Sequence, residues 1–192
     1  TLTAGTNVTI TNAAGAITIA ASGGGASAAT PTALGTVYGK QTTSGGTPFL
    51  TAYGYGAGAS TTGTQATAVG VDALTTNSSG FSNTALGYNA LTANTTASSN
   101  TAVGSQAGLS NTTGGGLTVV GRQALYSNTT GSSNCAFGQT ALFSNTTGGA
   151  NTSLGFGAME SNTTASNGTA VGYQALYSNT TGTNNTALGY QA

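Results

Sequence analysis

From Thr67 onward the chain repeats a seventeen-residue pattern, which begins again at Thr84, Thr101, Thr118, Cys135, Thr152, Thr169 and Thr186. The fourth position is always glycine: Gly70, Gly87, Gly104, Gly121, Gly138, Gly155, Gly172 and Gly189. The seventh is always alanine: Ala73, Ala90, Ala107, Ala124, Ala141, Ala158, Ala175 and Ala192. The eleventh is always asparagine: Asn77, Asn94, Asn111, Asn128, Asn145, Asn162 and Asn179. A composite copy reads T-A-V-G-Y-Q-A-L-Y-S-N-T-T-G-S-S-N. A fixed period confines the chain to architectures in which each copy is one unit stacked on the last.

Seventeen residues is too short for the helix-pair units of roughly 33–47 residues. Helix is opposed in any case by Asn-Thr-Thr-Gly in most copies and by 32 glycines in 192 residues. Thr-Ala-Val-Gly and Ala-Leu-Tyr-Ser are short β-prone pieces set between turn-prone clusters. The expected class is therefore all-β, a parallel β-solenoid with one copy per coil. Each coil is expected to hold two short strands and two turns. Equivalent residues then stack in columns at the ~4.7–4.9 Å spacing of neighbouring strands.

Stacking gives each invariant residue a reason. A glycine column is needed where φ is positive or a neighbouring backbone comes close. An alanine column marks a place too tight for a larger side chain. An asparagine column passes hydrogen bonds from amide to amide without using charge. A repeated Lys or Glu would lie against its own copy in every coil, and the chain carries only two basic and two acidic residues, net zero, with no His. It offers no basic surface for nucleic acid and no polybasic attachment to a membrane. No apolar run approaches the ~18 residues of a membrane span, so membrane insertion is not expected of this stretch. The lone Cys135 permits no internal disulfide.

The copies also carry more large apolar side chains than one coil encloses. The third position holds Val69, Leu86, Val103, Val120, Phe137, Leu154, Val171 and Leu188. The eighth adds Leu74, Leu91, Leu125, Leu142, Met159 and Leu176. Aromatic rings recur at the fifth or ninth, as Tyr88, Tyr126, Phe143, Phe156, Tyr173, Tyr177 and Tyr190. A thin coil buries one row. The second needs a partner, and a repetitive surface is matched most readily by copies of itself.

Upstream of the array the pattern changes. Residues 1–22 read as an N-terminal β module, with apolar residues alternating with Thr around Val8, Ile10, Ile17 and Ile19 and a turn at Asn12-Ala-Ala-Gly15. Residues 23–66 read as a Gly/Ala/Ser linker followed by irregular entrance coils, with degenerate copies at Thr32 and Thr51. Residues 67–192 are the regular array. With no Met at Thr1 and a copy interrupted at Ala192, the chain reads as part of a longer one.

The Thr-Ala-Val-Gly-x-x-Ala and Thr-Ala-Leu-Gly-x-x-Ala motifs resemble the head repeats of YadA-like trimeric autotransporter adhesins. The longer Asn-Thr-Ala-Leu-Gly-Tyr-Gln-Ala-Leu-Tyr-Ser-Asn-Thr-Thr-Gly is similar to arrays in phage tail fibres. The resemblance covers residues 67–192. It implies a left-handed β-roll, an intertwined homotrimer with one coil per copy from each chain, and a place on a virion or cell surface. The copies here are longer than the usual adhesin-head repeat.

Catalysis finds no footing. Without His there is no Ser/His or Cys/His pair, and Cys135 stands where other copies have Thr. Asp72 and Glu160 are the only carboxylates and lie five coils apart, about 24 Å at strand spacing and far beyond the ~5–9.5 Å of a glycosidase pair. Asp does not recur in every turn, as calcium-binding rolls require, and the Gly-rich run at Gly54 lacks the Lys of a phosphate loop. No cofactor or metal is expected. Asn-x-Thr at Asn94, Asn111, Asn128, Asn145, Asn162 and Asn179 matches the glycosylation acceptor but reads better as turn and ladder.

Two function classes remain. One is a structural or adhesive fibre segment, a phage-like shaft or an adhesin head, with any host glycan or receptor met by segments outside this stretch. The other is a solenoid whose Thr/Asn columns bind glycan or ice. Solitary breaks in the pattern at Asp72, Arg122 and Glu160 are too sparse for a clustered hot spot, which favours the first.

Overall fold

The computed structural model describes residues 8–13, 16–21, 50–63 and 65–192. The linker expected from Gly23 and the degenerate copy at Thr32 lie outside them. The described residues fall in two units, bounded as Thr1–Thr36 and Val37–Ala192.

In the first unit, β1 (Val8–Ala13) pairs antiparallel with β2 (Ala16–Ala21). The register runs from Val8 opposite Ala21 to Ala13 opposite Ala16. The alternation around Val8 and Ile19 predicts this pair of strands; of the residues read as its turn, Asn12 and Ala13 are instead the last of β1, and residues 14 and 15 lie outside the described residues.

The second unit is a parallel β-solenoid. Its strands are β3 (Leu50–Tyr53), β4 (Ala66–Val69), β5 (Thr84–Leu86), β6 (Thr101–Val103), β7 (Thr118–Val120), β8 (Cys135–Phe137), β9 (Thr152–Leu154), β10 (Thr169–Val171) and β11 (Thr186–Leu188). They form one nine-stranded sheet in strict chain order. Every neighbouring pair is parallel and in phase: Thr67 faces Thr84, which faces Thr101. At the start the step is shorter, because Thr51 pairs with Thr67.

Each coil holds one strand, not the two that its β-prone pieces suggest. The Ala-Leu-Tyr-Ser piece is turn rather than strand, and the reason lies in its first two residues. Ala90 and Leu91, like Ala124 and Leu125, are both fully buried. A pleated strand sends successive side chains to opposite faces, so two adjacent inward residues cannot belong to one. The backbone turns instead: the eighth residue takes positive φ, 52° at Leu74, 50° at Leu91, 51° at Leu125 and 53° at Leu142. That conformation costs an L-residue about 1–2 kcal/mol, and burying the leucine returns roughly 1.5–3 kcal/mol. The turn still joins the coils, with Leu74 N donating to Ala90 O at 2.9 Å and Asn89 N donating to Val71 O at 2.9 Å.

The core is a narrow column of small and medium residues. Ala68, Ala85, Ala102 and Ala136 come from the second position, with the seventh-position alanines and the eighth-position Leu or Met beside them. The third-position row lies outside. From the eleventh residue the pattern changes to one buried residue in three, as at Asn111, Gly114 and Leu117.

Candidate functional site

Because stacking repeats every feature, the candidate sites are columns. The fourth-position glycines have φ between 130° at Gly70 and 141° at Gly155. A Cβ on Gly121 would stand 2.4 Å from Gly138 O. Both reasons for a glycine column, positive φ and a close backbone, act at once. The seventh-position alanines from Ala73 to Ala175 are fully buried.

The eleventh-position amides form a ladder. Asn94 Nδ2 donates to Asn77 Oδ1 at 2.9 Å, Asn111 to Asn94 at 3.0 Å, and Asn128, Asn145 and Asn162 each to the amide before at 2.8 Å. The second amide proton of each closes its own turn, as from Asn128 to Gly131 O at 2.9 Å. From Asn94 to Asn145 each buried amide thus spends both protons, and its oxygen accepts from the coil above. Asn162 Oδ1 is buried without a partner, and Asn179 donates to Gly182 O at 2.9 Å. Asn94, Asn111, Asn128, Asn145 and Asn162 are fully buried, so five of the six glycosylation-like motifs are inaccessible in the folded coil.

A second asparagine column, at the seventeenth position, was not singled out from the sequence. Asn83 Nδ2 donates to Ala97 O at 2.8 Å, and its Oδ1 accepts from Asn100 N at 3.0 Å. Asn100 repeats this with Gly114 O at 3.0 Å and Leu117 N at 2.9 Å. Here the side chain supplies a coil-to-coil bond that the backbone does not make. The signal was present in Asn83, Asn100, Asn134, Asn151 and Asn185, but Leu117 and Gly168 interrupt it.

The interruptions follow a packing rule. Where the seventeenth residue is Leu117, the eighth in that coil is Gly108; where it is Gly168, the eighth is Met159. Leu117 is 1% exposed, and a Cβ on Gly168 would lie 2.5 Å from Met159 Cε. Gly168 and Met159 thus share one space, and the exchange of Leu117 with Gly108 matches it as a trade of volume in sequence, although a Cβ on Gly108 would meet Leu91 Cδ2 at 3.0 Å.

Outside, the third- and fifth-position residues make an apolar stripe up the sheet. Leu86 is 45% exposed, Tyr88 52%, Phe137 46%, Leu154 46% and Tyr173 43%. Its rings stack along the solenoid axis, Phe156 on Tyr173 at 5.3 Å and Tyr173 on Tyr190 at 5.2 Å. At the ninth position Tyr126 stacks on Phe143 at 5.0 Å. The twelfth-position hydroxyls turn to the next coil: Thr112 Oγ1 donates to Thr129 O at 2.9 Å and Thr129 Oγ1 to Thr146 O at 3.1 Å. That leaves the thirteenth position as the exposed threonine rank beside them.

The pattern breaks do not converge. Arg122 lies on the stripe, Glu160 accepts from Thr140 Oγ1 at 2.8 Å, and Cys135 sits half-buried in the first-position column. Among the described residues no three His, Cys, Asp or Glu come together as for a metal ion, and no helix is long and apolar enough to cross a membrane. The fold thus places the chain among parallel β-solenoid repeat proteins. No family model, curated protein or solved structure matches it.

Proposed function

We propose that this chain is a spacing and rigidifying segment of a homotrimeric fibre on a virion or cell surface, with left-handed coils. The observation that carries the reading is the stripe of third- and fifth-position residues from Tyr53 and Tyr55 to Leu188 and Tyr190. Soluble monomers rarely expose a contiguous apolar patch of such extent, and this chain has almost no charge with which to offset it. Copies of the same chain cover a periodic stripe rung by rung. The resemblance of the repeat to adhesin heads and phage tail-fibre arrays agrees with that reading, and the fixed coil step supplies a rod. Eight steps from β3 to β11 make roughly 38 Å of shaft.

No catalytic role is proposed. The uniform columns suit a spacer, and the decisive host contact is assigned to segments of the fibre outside these coils. An ice or glycan face is the weaker alternative, because the Thr112 and Thr129 hydroxyls are engaged between coils. The test is competition: the isolated segment is added to host cells beside a longer fibre that contains it. A spacer leaves attachment unchanged. Block by the segment alone, at concentrations comparable to the whole fibre, would place recognition on the coils and overturn the reading.

A further inference from the structure

The fifth and ninth residues of a coil are reciprocal in character. Where the fifth is Ser105, Arg122 or Gln139, the ninth is Leu109, Tyr126 or Phe143. Where the fifth is Val71, Tyr88 or Phe156, the ninth is Thr75, Thr92 or Glu160. The coil with Tyr173 and Tyr177 departs from this by carrying a ring at both.

The match is not used within one chain. The aromatic pairs of the described residues run up the columns, Tyr126 on Phe143 and Phe156 on Tyr173 on Tyr190; none joins a fifth to a ninth position. A turn stands between the two columns, closed by Ala90 N donating to Gly87 O at 3.3 Å. The sixth residue intervenes as well: a Cβ on Gly157 would lie 2.9 Å from Glu160 Oε2 and 3.7 Å from Tyr177 Cδ2. The two columns therefore flank one corner of the coil.

Symmetry gives the reciprocity a use. A closed cyclic assembly has no rise along its axis, so each coil stands beside the same coil of the neighbouring copy. Its contacts are heterologous, one edge of a copy meeting a different edge of the next. Two different columns that complement each other coil by coil suit that arrangement. A twofold axis along the stack would pair the same two columns, each meeting the other across the axis, so the reciprocity selects the pair of edges and the order of the assembly comes from the trimer proposed above.

We infer that, in the trimer proposed above and resting on it, the fifth-position edge of each copy packs against the ninth-position edge of the next at the same level. The corner between them then turns toward the threefold axis. Arg122 meets Tyr126 of the neighbouring copy as a cation on a ring. The carboxylates Asp72 and Glu160 lie three and two coils away, too far to serve it. Gln139 meets Phe143 and Tyr88 meets Thr92, so in these coils each fifth-position side chain is covered by a residue of opposite character, while Tyr173 meets a ring at Tyr177.

The experiment is disulfide trapping in a Cys135→Ser background, which removes the chain's one cysteine. Differently tagged chains carrying Arg122→Cys and Tyr126→Cys are co-expressed, purified as mixed assemblies and oxidised. The expected result is a covalent heterodimer in the mixture and no covalent dimer from either variant alone. Gln139→Cys with Phe143→Cys repeats the test one coil higher in case the first pair does not fold. Arg122→Cys with Glu160→Cys, two levels apart and about 9–10 Å along the stack, is expected to give no link because a disulfide needs Cα atoms within about 7 Å. Homodimers from Arg122→Cys alone would show the fifth positions converging on one another and overturn the inference. So would a link in the offset pair, or a trimer in which neither same-level pair cross-links. A monomer by sedimentation overturns the trimeric reading itself, a result that the trapping pattern does not mimic.

Discussion

The two arcs of each coil reach the same end with different chemistry. Between the first and tenth positions the interior is alanine and leucine, as at Ala136, Ala141 and Leu142; between the eleventh and seventeenth it is amide, as at Asn145 and Asn151. In the apolar arc the residue at the eighth position varies, Leu in most coils but Gly108 and Met159 in two, with Leu117 and Gly168 compensating across the core. In the polar arc the eleventh position never varies from Asn77 to Asn179. Dispersion has no direction, so volume can be traded between neighbours. A buried amide must meet named donors and acceptors, and its loss strands each of them. The eleventh-position ladder therefore fixes register, and the eighth and seventeenth positions trade volume between them.

The severest way to break this division is at the backbone corner of the apolar arc. Gly121→Val meets both a φ of 139° and a carbonyl 2.4 Å from its new Cβ. We expect a loss of at least about 3 kcal/mol per chain, seen as a collapsed melting temperature.

Next comes the polar arc. Asn128→Asp places a carboxylate among Asn111 Oδ1, Gly131 O and Asn145 Nδ2, where two of three partners are acceptors. Burial raises the folded-state pKa of the new carboxyl above the unfolded value near 3.9. Its destabilisation is thus smallest below about pH 4 and grows as pH rises through the neutral range, to about 3 kcal/mol or more. The parent chain, with two carboxylates and no His, should show little of this dependence. Urea melts at pH 3.5 and pH 7 decide it; a variant equally stable at both would refute the buried ladder.

A smaller effect sharpens the volume rule. Leu117→Asn and Gly108→Leu should each cost about 2 kcal/mol, the first by opening a cavity and the second by overpacking. The double variant should regain most of the loss, because it restores the Leu and Asn pairing of Leu91 with Asn100. Leu91 already holds the φ of 50° that residue 108 would need. Additive losses in a double-mutant cycle would show the two positions to be independent. Least of all, Thr130→Ser on the exposed thirteenth rank should shift stability by under about 0.5 kcal/mol.

How much of this was legible follows from what periodicity encodes. The step, the parallel stacking, the glycine and alanine columns and the Asn77-to-Asn162 ladder all follow from residues that recur at one phase. The count of strands did not, because Ala-Leu-Tyr-Ser has strand propensity, and only the burial of both Ala90 and Leu91 shows that the chain turns there. The seventeenth-position column was hidden by its exchange with the eighth. A finer alternation has twice the repeat period: Ser98, Ser132 and Ser166 accept from Phe81, Gly115 and Gly149 N one coil below at 3.0–3.2 Å. It spans two copies, so a one-copy composite averages it away. The partner of the outer stripe is not written in one chain's contacts at all.

Sedimentation equilibrium of the folded chain shows whether copies of the same chain cover that stripe. We expect a single species at three times the mass of the 18.3 kDa chain, unchanged on dilution. A stable, well-folded monomer that leaves Leu86, Tyr88, Phe137 and Tyr173 in water would contradict it.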